Sequence, residues 1–268
     1  MGSVPLPADD AALREGALDL DALAARWREA MSASPMTAEA MRGADHRAQR
    51  LGVSGWSLMT HAGAAVAAAV RALLLQADRW GSGPILVLAG PGNNGGDGSV
   101  AAWFLAGGAG SGGAEAPRVA VVLVATESRP GTPEAARAWD RLERLPSVTR
   151  LHAATAHEVA LVGHGIEKAS IVIDALLGTG VRGELREPIR AAVELIHRAR
   201  AAGVPVVSVD TPTAIDLSSG DPSDPVVRAD VTITFHRPKT GLLTRRGAAL
   251  AGRVLVAPIG IPPEADPA

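Results

Sequence analysis

Short, wholly apolar runs alternate with longer mixed stretches along most of this chain. The apolar runs are rich in Val, Ile and Leu, and they predict strands at residues 85–89, 119–125, 171–174, 204–209, 231–235 and 253–257. Amphipathic or alanine-rich stretches predict helices at 37–51, 57–76, 99–105, 133–145 and 188–202. Strands that are apolar on both faces, separated by helices, are typical of parallel sheets covered on both sides. The pattern therefore predicts a three-layer α/β/α Rossmann-like fold with a mainly parallel central sheet.

The first 34 residues differ from the rest of the chain. An Ala-, Leu- and Arg-rich stretch with helical spacing runs from Asp10 to Met31, without the strand signals that follow it. We therefore expect residues 1–34 to be a partly helical, peripheral extension and residues 35–268 to be one domain. We find no internal repeat that would divide this domain further.

Composition excludes several classes of function. The 268 residues include no cysteine, which excludes disulfide scaffolds, zinc–thiolate sites and cysteine nucleophiles. A formal net charge of −2 gives no electrostatic reason to expect nucleic acid or a membrane as partner. The most apolar segment, residues 62–75, is short for a membrane span and contains Arg71, and the start of the chain carries Asp9 and Asp10 instead of a signal peptide. We expect a cytoplasmic protein.

A glycine-rich segment follows the first predicted strand. It reads Gly90-Pro-Gly-Asn-Asn-Gly-Gly-Asp-Gly98 and precedes a predicted helix, which is the context of a dinucleotide-binding loop. We expect its glycines to adopt positive φ angles and to bring backbone N–H groups close to an anion, with phosphate as the obvious candidate. The polar side chains of Asn93, Asn94 and Asp97 lie where such a loop is usually apolar.

Two further predicted strands end on an aspartate. Asp174 follows one β-branched run and precedes further glycines, whereas Asp210 follows another run and precedes Pro212 and Thr213. Ligands of open parallel sheets bind outside the carboxyl ends of the strands, so we expect these residues to converge with the glycine segment. A single aspartate at such a position is equally consistent with a helix cap or a turn.

These segments resemble the YjeF N-terminal domain family, the NAD(P)H-hydrate epimerases. The resemblance rests first on residues 90–98, on Asp174-Ala-Leu-Leu-Gly-Thr-Gly180 and on Val209-Asp210 before Pro212. It extends to the opening segment 36–42, to Leu58-Met59 with Ala62-Gly63, to Thr234-Phe235 with Lys239, and to the ending 259–262. It spans roughly residues 36–262, with its segments in the family order.

The resemblance implies an isomerase that interconverts the R and S forms of NADHX and NADPHX, which are nicotinamide cofactors hydrated at ring carbon six. Inversion at this carbon by loss and return of water, or by ring opening, needs an acid or base near the hydroxyl. Asp210 is our first candidate. Lys239 is the second, as a proton donor or a phosphate or ribose contact, although a lone lysine is more often a solvated surface charge. The implied substrate-binding residues are Asn93, Asn94, Gly95, Gly96, Asp97, Gly178, Thr179, Gly180, Val181, Arg182, Gly183, Glu184 and Asp210.

The resemblance also implies a cofactor and partners. Its potassium-binding positions correspond to Asn94, Asp174 and Thr213, whose oxygen atoms suit a hard cation, with one ion expected per subunit. It further implies a homodimer that works with a separate NAD(P)HX dehydratase. The preference between NADHX and NADPHX stays open.

The sequence departs from the family pattern at two places. Thr213 and Ala214 replace the usual Ser-Gly, which adds a methyl group and puts alanine where the backbone angles favour glycine, so potassium affinity is in question. Thr60 and His61 replace the usual Glu-Asn pair. His61 is either a substitute hydrogen-bond donor for the glycine segment or a histidine satisfied within its helix.

Two alternatives follow from these departures and from the glycine pattern. YjeF N-terminal domains also serve as non-catalytic nucleotide-binding or scaffold modules, including in RNA-processing assemblies. An ordinary NAD(P)-dependent oxidoreductase is disfavoured, because the only acidic candidate for a ribose contact, Glu127, comes late after the glycine segment.

Overall fold

A computed structural model describes residues 4–15, 18–107, 116–178 and 183–266. Within these ranges all strand pairings of the main sheet are parallel, and the sheet has seven strands. The strands are β1 (Ile85–Ala89), β2 (Val119–Val124), β3 (Val148–Ala153), β4 (Ile171–Ala175), β5 (Val206–Val209), β6 (Val231–Phe235) and β7 (Arg253–Ala257).

The strand order is β3-β2-β1-β4-β5-β6-β7. The chain moves outward from β1 in one direction to β3, then crosses back over β1 and continues in the other direction from β4. This reversal creates a crevice at the carboxyl ends of β1 and β4, the place where open α/β sheets bind ligands. The fold therefore puts the glycine segment, which follows β1, beside the loop that follows β4.

Helices cover both faces of the sheet. The described helices are α1 (Ala11–Glu15), α2 (Leu20–Arg26), α3 (Arg28–Ser32), α4 (Ala38–Arg50), α5 (Gly55–Gln76), α6 (Asn93–Leu105), α7 (Pro133–Arg141), α8 (Ala156–Val162), α9 (Ile189–Ala201) and α10 (Arg245–Ala251). One apolar layer lies between the sheet and the side formed mainly by α4 to α7, and a second layer packs α8 and α9 on the opposite face. The predicted three-layer fold with a parallel sheet is confirmed.

Most predicted elements are present, with three informative differences. Strand β3 was missed because it is an edge strand with polar residues such as Arg150 and His152, and helix α8 behind it was missed as well. Helix α6 begins at Asn93, six residues before its predicted start, so residues 93–98, two thirds of the glycine segment, are helical. Glycine is a poor helix former in isolation, so tertiary contacts and not local propensity decide this boundary.

The N-terminal extension forms three short helices that complete the core. The side chains of Leu23 and Trp27 are 0% and 1% exposed, within the apolar layer that also contains α5. Polar contacts add to this packing, because Arg71 on α5 donates to the carbonyls of Leu13 and Arg14 at 2.8 Å. The extension thus covers the fold closely instead of standing apart from it.

Helix α5 is longer than the apolar segment singled out in the sequence. Its 22 residues are long and apolar enough to cross a membrane by length and composition, the one such helix within the described ranges. However, 78% of its most apolar window is buried inside the protein. Alanines dominate that buried surface and allow close approach to α6. Its apolarity is accounted for by the core.

The packing of the extension predicts the effect of truncating its largest side chain. Trp27→Ala removes a fully buried indole, so the free energy of unfolding should fall by about 3–5 kcal/mol in urea denaturation. Leu161→Ala is the control, since Leu161 is 53% exposed and should change stability by no more than about 0.5 kcal/mol. Equal effects of the two variants would show that the extension does not support the core.

Candidate active site

Four of the five glycines in the segment 90–98 are required by close approach and not by backbone conformation, whereas a Cβ atom on Gly92 would meet open space. A Cβ atom on Gly90 would lie 1.8 Å from the carbonyl oxygen of Leu176, and one on Gly95 would lie 1.9 Å from the carbonyl oxygen of Gly90. None of the glycines in this segment has a positive φ angle, so that expectation was wrong. Their small size instead lets the end of β1, the start of α6 and the loop after β4 meet backbone to backbone.

Two other glycines keep α6 against its neighbours. A Cβ atom on Gly98 would lie 2.4 Å from the Cβ of Ala175 at the end of β4. A Cβ atom on Gly96 would lie 2.5 Å from the methyl carbon of Met59 on α5. Because both neighbours belong to the core, the first turns of α6 are fixed relative to β4 and α5.

Asp174 organises the carboxyl ends of β4 and β5. Its carboxylate is fully buried and accepts hydrogen bonds from the Ser208 hydroxyl at 2.9 Å, from the Thr213 backbone N–H at 2.8 Å and from the Thr213 hydroxyl at 2.7 Å. Burial raises the pKa of Asp174, and these hydrogen bonds oppose that rise because they stabilise the charged form. Asp174 and Thr213 are thus brought together as predicted.

Asn94 lies beside this pair without hydrogen-bond partners. Its residue is 9% exposed, and both its side-chain oxygen and nitrogen are buried and unpaired within the described part of the chain. Gly178 packs against it, since a Cβ atom there would lie 3.3 Å from the Asn94 amide carbon and oxygen. An unpaired buried amide costs free energy, so this side chain is suited to a ligand at the junction of the three strand ends.

Ala214, which replaces the usual glycine of the family pattern, adopts a backbone conformation that favours glycine. Ala214 has a φ of +78°, which is in the left-handed region that favours glycine. The expectation that alanine would avoid these angles was therefore wrong. Hydrogen bonds hold the turn on either side, from the Ser223 N–H to the Ala214 carbonyl at 2.8 Å and from the Val227 N–H to the Thr213 carbonyl at 3.0 Å. The surrounding structure imposes the strained conformation.

Asp210 also has a left-handed backbone, with a φ of +61°. It follows β5, and its carboxylate accepts a hydrogen bond from Thr234 on β6 at 3.0 Å. The Nζ of Lys239 lies 3.6 Å from the same carboxylate oxygen and donates to the Thr234 hydroxyl at 2.9 Å. Asp174 on β4 is paired in register with Ser208 on β5. Asp210, which directly follows β5, is therefore at the end of the strand next to the one that carries Asp174.

Lys239 is not the solvated surface charge that a lone lysine more often is. Its side chain is fully buried, and its ammonium group also donates to the carbonyls of Phe235 at 2.7 Å and Arg237 at 3.1 Å. Burial lowers the pKa of Lys239, while the nearby Asp210 carboxylate raises it. An enclosed ammonium group with three acceptors cannot contact a phosphate, so the predicted phosphate or ribose contact was wrong. Its place beside Asp210 is that of a positioning group.

Asp97 shares a cavity of about 380 Å³ with Asp210. Within the described part of the chain Asp97 has no hydrogen-bond partner or ion pair, whereas Asp210 has both. The pKa of Asp97 is raised well above its ordinary value, first by burial and then by the negative charges of Asp210 and Asp45. The cavity therefore holds one carboxyl group that favours its protonated form and another that is paired with a cation.

The remaining predicted residues are only partly described. Asn93 lines the same cavity, and its side-chain oxygen accepts from the Thr132 hydroxyl at 2.6 Å. Gly183 has a φ of +91°, and its carbonyl accepts from the Ser223 hydroxyl at 3.1 Å, whereas Glu184 is exposed. Four predicted residues of this loop lie outside the described ranges, namely Thr179, Gly180, Val181 and Arg182.

Thr60 and His61 do not contact the glycine segment. The Thr60 hydroxyl donates to the Trp56 carbonyl of its own helix at 2.7 Å. The Nδ1 of His61 accepts from the Ala8 N–H of the extension at 3.2 Å, and burial lowers the pKa of this ring. The histidine is satisfied by the extension and the threonine by its own helix, so neither of these hydrogen bonds reaches the glycine segment.

The sequence analysis missed several residues of the cavity. Arg42, Asp45, His46 and Gln49 of α4 line it, together with Glu134 of α7. Thr234, which joins Asp210 to Lys239, was noted only as part of a strand. The spacing of the α4 residues by three or four positions puts them on one helix face, and this polar stripe could have indicated a lining helix.

Comparison with known proteins supports the family resemblance found in the sequence. The family model described as YjeF-related protein N-terminus matches residues 55–241. A protein named NAD(P)H-hydrate epimerase from Cenarchaeum symbiosum is 38% identical over 213 residues, which cover 78% of this chain and 87% of that protein.

Longer relatives and one solved structure are also similar. A bifunctional NAD(P)H-hydrate repair enzyme Nnr from Pyrobaculum aerophilum is 40% identical over 224 residues, which are 83% of this chain but 41% of that protein. This chain thus spans about two fifths of the length of such bifunctional relatives. The crystal structure of the yeast protein ynu0 superposes with a TM-score of 0.63 over 78% of this chain and 83% of that chain. Its 24% identity supports the fold alone.

The environment of Asp97 predicts a stabilising substitution. Because the pKa of Asp97 is higher in the folded protein than in the unfolded chain, Asp97 lowers the free energy of unfolding at neutral pH. Asp97→Asn should therefore increase stability at pH 7, and the gain should shrink as the pH falls toward about 4, where the unfolded chain also binds the proton. Urea denaturation across this pH range measures both effects.

A matched substitution on the surface separates this effect from the general loss of a negative charge. Asp140 is 48% exposed and forms an ion pair with Arg129 at 2.7 Å, so Asp140→Asn should leave stability within about 0.5 kcal/mol of the wild type. A loss of stability in Asp97→Asn at pH 7 would contradict the proposed environment of Asp97.

Proposed function

This chain belongs to the family of YjeF-related protein N-termini, and from that premise we propose that it is an NAD(P)H-hydrate epimerase. The proposed reaction interconverts the R and S forms of NADHX and NADPHX. The observation that carries the proposal is the cavity shared by Asp97 and Asp210, with Lys239 buried behind Asp210. A relative matched over 87% of its own length, which is named an epimerase, supports the same activity.

The substrate binds across the carboxyl ends of the strands. Backbone N–H groups at the start of α6, from Asn93 onward, suit the phosphates of the dinucleotide, because the first N–H groups of a helix have no partner within it. Gly178, which packs against Asn94, contributes to the facing side. In this arrangement the nicotinamide ring enters the cavity that contains Asp97 and Asp210.

Inversion at ring carbon six then uses the two carboxyl groups in different roles. Protonated Asp97 donates its proton to the hydroxyl, the carbon–oxygen bond breaks, and the ring nitrogen lone pair forms a carbon–nitrogen double bond as water leaves. A water molecule adds to the other face of the planar cation and transfers a proton to the Asp210 carboxylate. The proton returns from Asp210 to Asp97 through solvent, which restores both groups for the next turnover.

Lys239 supports this chemistry from behind Asp210. Its buried ammonium group lies 3.6 Å from the carboxylate oxygen, and the shared Thr234 hydroxyl fixes the orientation of the carboxylate. The Asp210 carboxylate also stabilises the positive charge that develops on the ring. Ring opening remains the competing route, and it differs because it breaks the carbon–nitrogen bond while the oxygen stays on the carbon.

We also propose that the chain binds one potassium ion with Asn94, Asp174 and Thr213. The unpaired amide oxygen of Asn94 fits a cation, the buried Asp174 carboxylate supplies negative charge, and the Thr213 hydroxyl keeps a lone pair beyond the one used by the Leu177 N–H. The ion would link the three segments that carry these oxygen atoms and would place a positive charge near the substrate phosphates. A homodimer and a separate dehydratase as functional partner stay predictions from the family.

The epimerase proposal predicts a large effect of Asp210. The wild type should speed the exchange of R-NADHX and S-NADHX above the uncatalysed rate in a chiral assay, and Asp210→Asn should lower that rate at least about a hundredfold. Nucleotide binding should stay nearly intact, because Asp210 acts on the reacting carbon. Asp140→Asn is the control. A wild type that binds the nucleotide without speeding the exchange would favour the non-catalytic binding protein.

The potassium proposal has a test that does not depend on activity. At equal concentrations, KCl should stabilise the wild type more than NaCl does, by about 1–3 kcal/mol when potassium is in ten- to hundredfold excess over its dissociation constant. Asn94→Leu should abolish this difference, whereas Thr213→Ser with Ala214→Gly should keep or increase it. If the wild type and Asn94→Leu respond alike to the two salts, potassium does not bind at these residues.

A further inference from the structure

The carboxylate of Asp266, near the C-terminus, holds two consecutive residues that follow β6. It accepts from the Nε2 of His236 at 2.6 Å and from the Nε of Arg237 at 2.9 Å, and it forms a second, closer contact with the Arg237 guanidinium. The side chains of Asp266 and His236 are both 11% exposed. Asp266 thus forms an ion pair with Arg237 and a hydrogen bond with His236, both largely removed from water, where such interactions are stronger than on the surface.

The same two residues shape the acceptors of Lys239. The lysine ammonium donates to the carbonyls of Phe235 and Arg237, which precede and follow His236. His236 has a φ of +66°, an unfavourable conformation for a residue other than glycine, and the Arg237 N–H closes the tight turn by donating to the Phe235 carbonyl at 2.8 Å. Side-chain contacts that hold His236 and Arg237 therefore also fix the position of both carbonyls.

The segment that carries Asp266 is itself anchored to the fold. Arg47 on α4 donates through its Nε to the Ala265 carbonyl at 2.6 Å, and Ala265 is fully buried. The family match ends at residue 241, so this contact lies outside the segment on which family membership rests. Its connection to the site runs from Asp266 through His236 and Arg237 to Lys239 and finally to Asp210.

We infer that Asp266 is a positioning residue for the catalytic carboxylate, since it holds the turn whose carbonyls orient Lys239 beside Asp210. This inference rests on the proposed function. Without Asp266, the guanidinium of Arg237 loses its counter-ion and the strained turn at His236 loses its side-chain restraint. The ammonium group of Lys239 then loses its fixed acceptors, and the orientation of Asp210 is lost with it.

A neighbouring cavity makes a sharp test available. Asp266, His236 and Arg237 line a cavity of about 680 Å³, together with residues of the extension that include Arg26 and Trp27. Asp266→Ala removes a carboxylate from the wall of this cavity without requiring a new backbone conformation, because Asp266 has an extended φ of −69°. A small carboxylate such as formate can enter the cavity and occupy the vacated position between His236 and Arg237.

The experiment compares Asp266→Ala with and without added sodium formate. The variant should lose at least about tenfold in kcat with KM within about twofold of the wild type, because a small displacement of a catalytic group costs rate more than binding. Formate should restore part of the lost kcat, and formamide, which has a similar shape without the charge, should not. Asp221→Ala is the control, since Asp221 is 60% exposed in its ion pair with Arg246 and should change neither constant.

A second measurement does not depend on activity. Amide hydrogen exchange over residues 235–241 should be faster in Asp266→Ala than in the wild type and should slow again with formate. Asp266→Asn should exchange at an intermediate rate, and this variant replaces Asp266→Ala in the test if the alanine variant folds poorly. A wild-type kcat in Asp266→Ala, or equal rescue by formate and formamide, would overturn the inference. A wild type without epimerase activity would instead refute the proposed function, and the exchange rates would still decide whether Asp266 holds the turn.

Discussion

The site depends on a backbone contact that leaves no room for side chains. The end of β1 meets the loop after β4 at Gly90, and the start of α6 folds back onto Gly90 at Gly95. This contact fixes the N-terminal end of α6 and brings Asn94 against Gly178, beside the buried Asp174 and Thr213. Any side chain at Gly90 or Gly95 would push these elements apart, so the position of every polar group in the crevice follows from the contact.

The sequence was sufficient for most of the fold because its strands are apolar on both faces. Such strands require helices on both sides and a parallel arrangement, and the bounds of β1, β6 and β7 were predicted correctly. The edge strand β3 has no such signal, since polar residues such as Arg150 and His152 are tolerated at an edge. The start of α6 could not be predicted either, because glycine propensity disfavours a helix that tertiary contacts impose.

The sequence predicted which residues form the site, but not how deeply each side chain is buried or which charges lie beside it. Asp174 and Thr213 come together because the carboxyl ends of the adjacent strands β4 and β5 share one edge of the sheet, and Asp97 shares a cavity with Asp210 because α6 begins at the same edge. Whether a lysine is exposed or buried depends on the turn that follows β6, and no local pattern around Lys239 indicates that its ammonium group faces three acceptors inside the protein. The burial of a side chain and the charges beside it depend on the assembled fold, so the structure is needed to find them.

The buried charges explain why the site tolerates strain. Asp210, Ala214 and His236 all have left-handed backbones at the carboxyl edge of the sheet, at a cost of order 1–3 kcal/mol each. Each turn is held by hydrogen bonds to neighbouring strands or loops, and two of them surround the ion pair between Asp210 and Lys239. Relaxing one of these turns would move a charge away from its partner inside the protein, which costs more than the strain it relieves. The unfavourable backbone angles of Asp210 and His236 and the buried ion pair therefore maintain each other, whereas the turn at Ala214 is held by backbone hydrogen bonds from Ser223 and Val227.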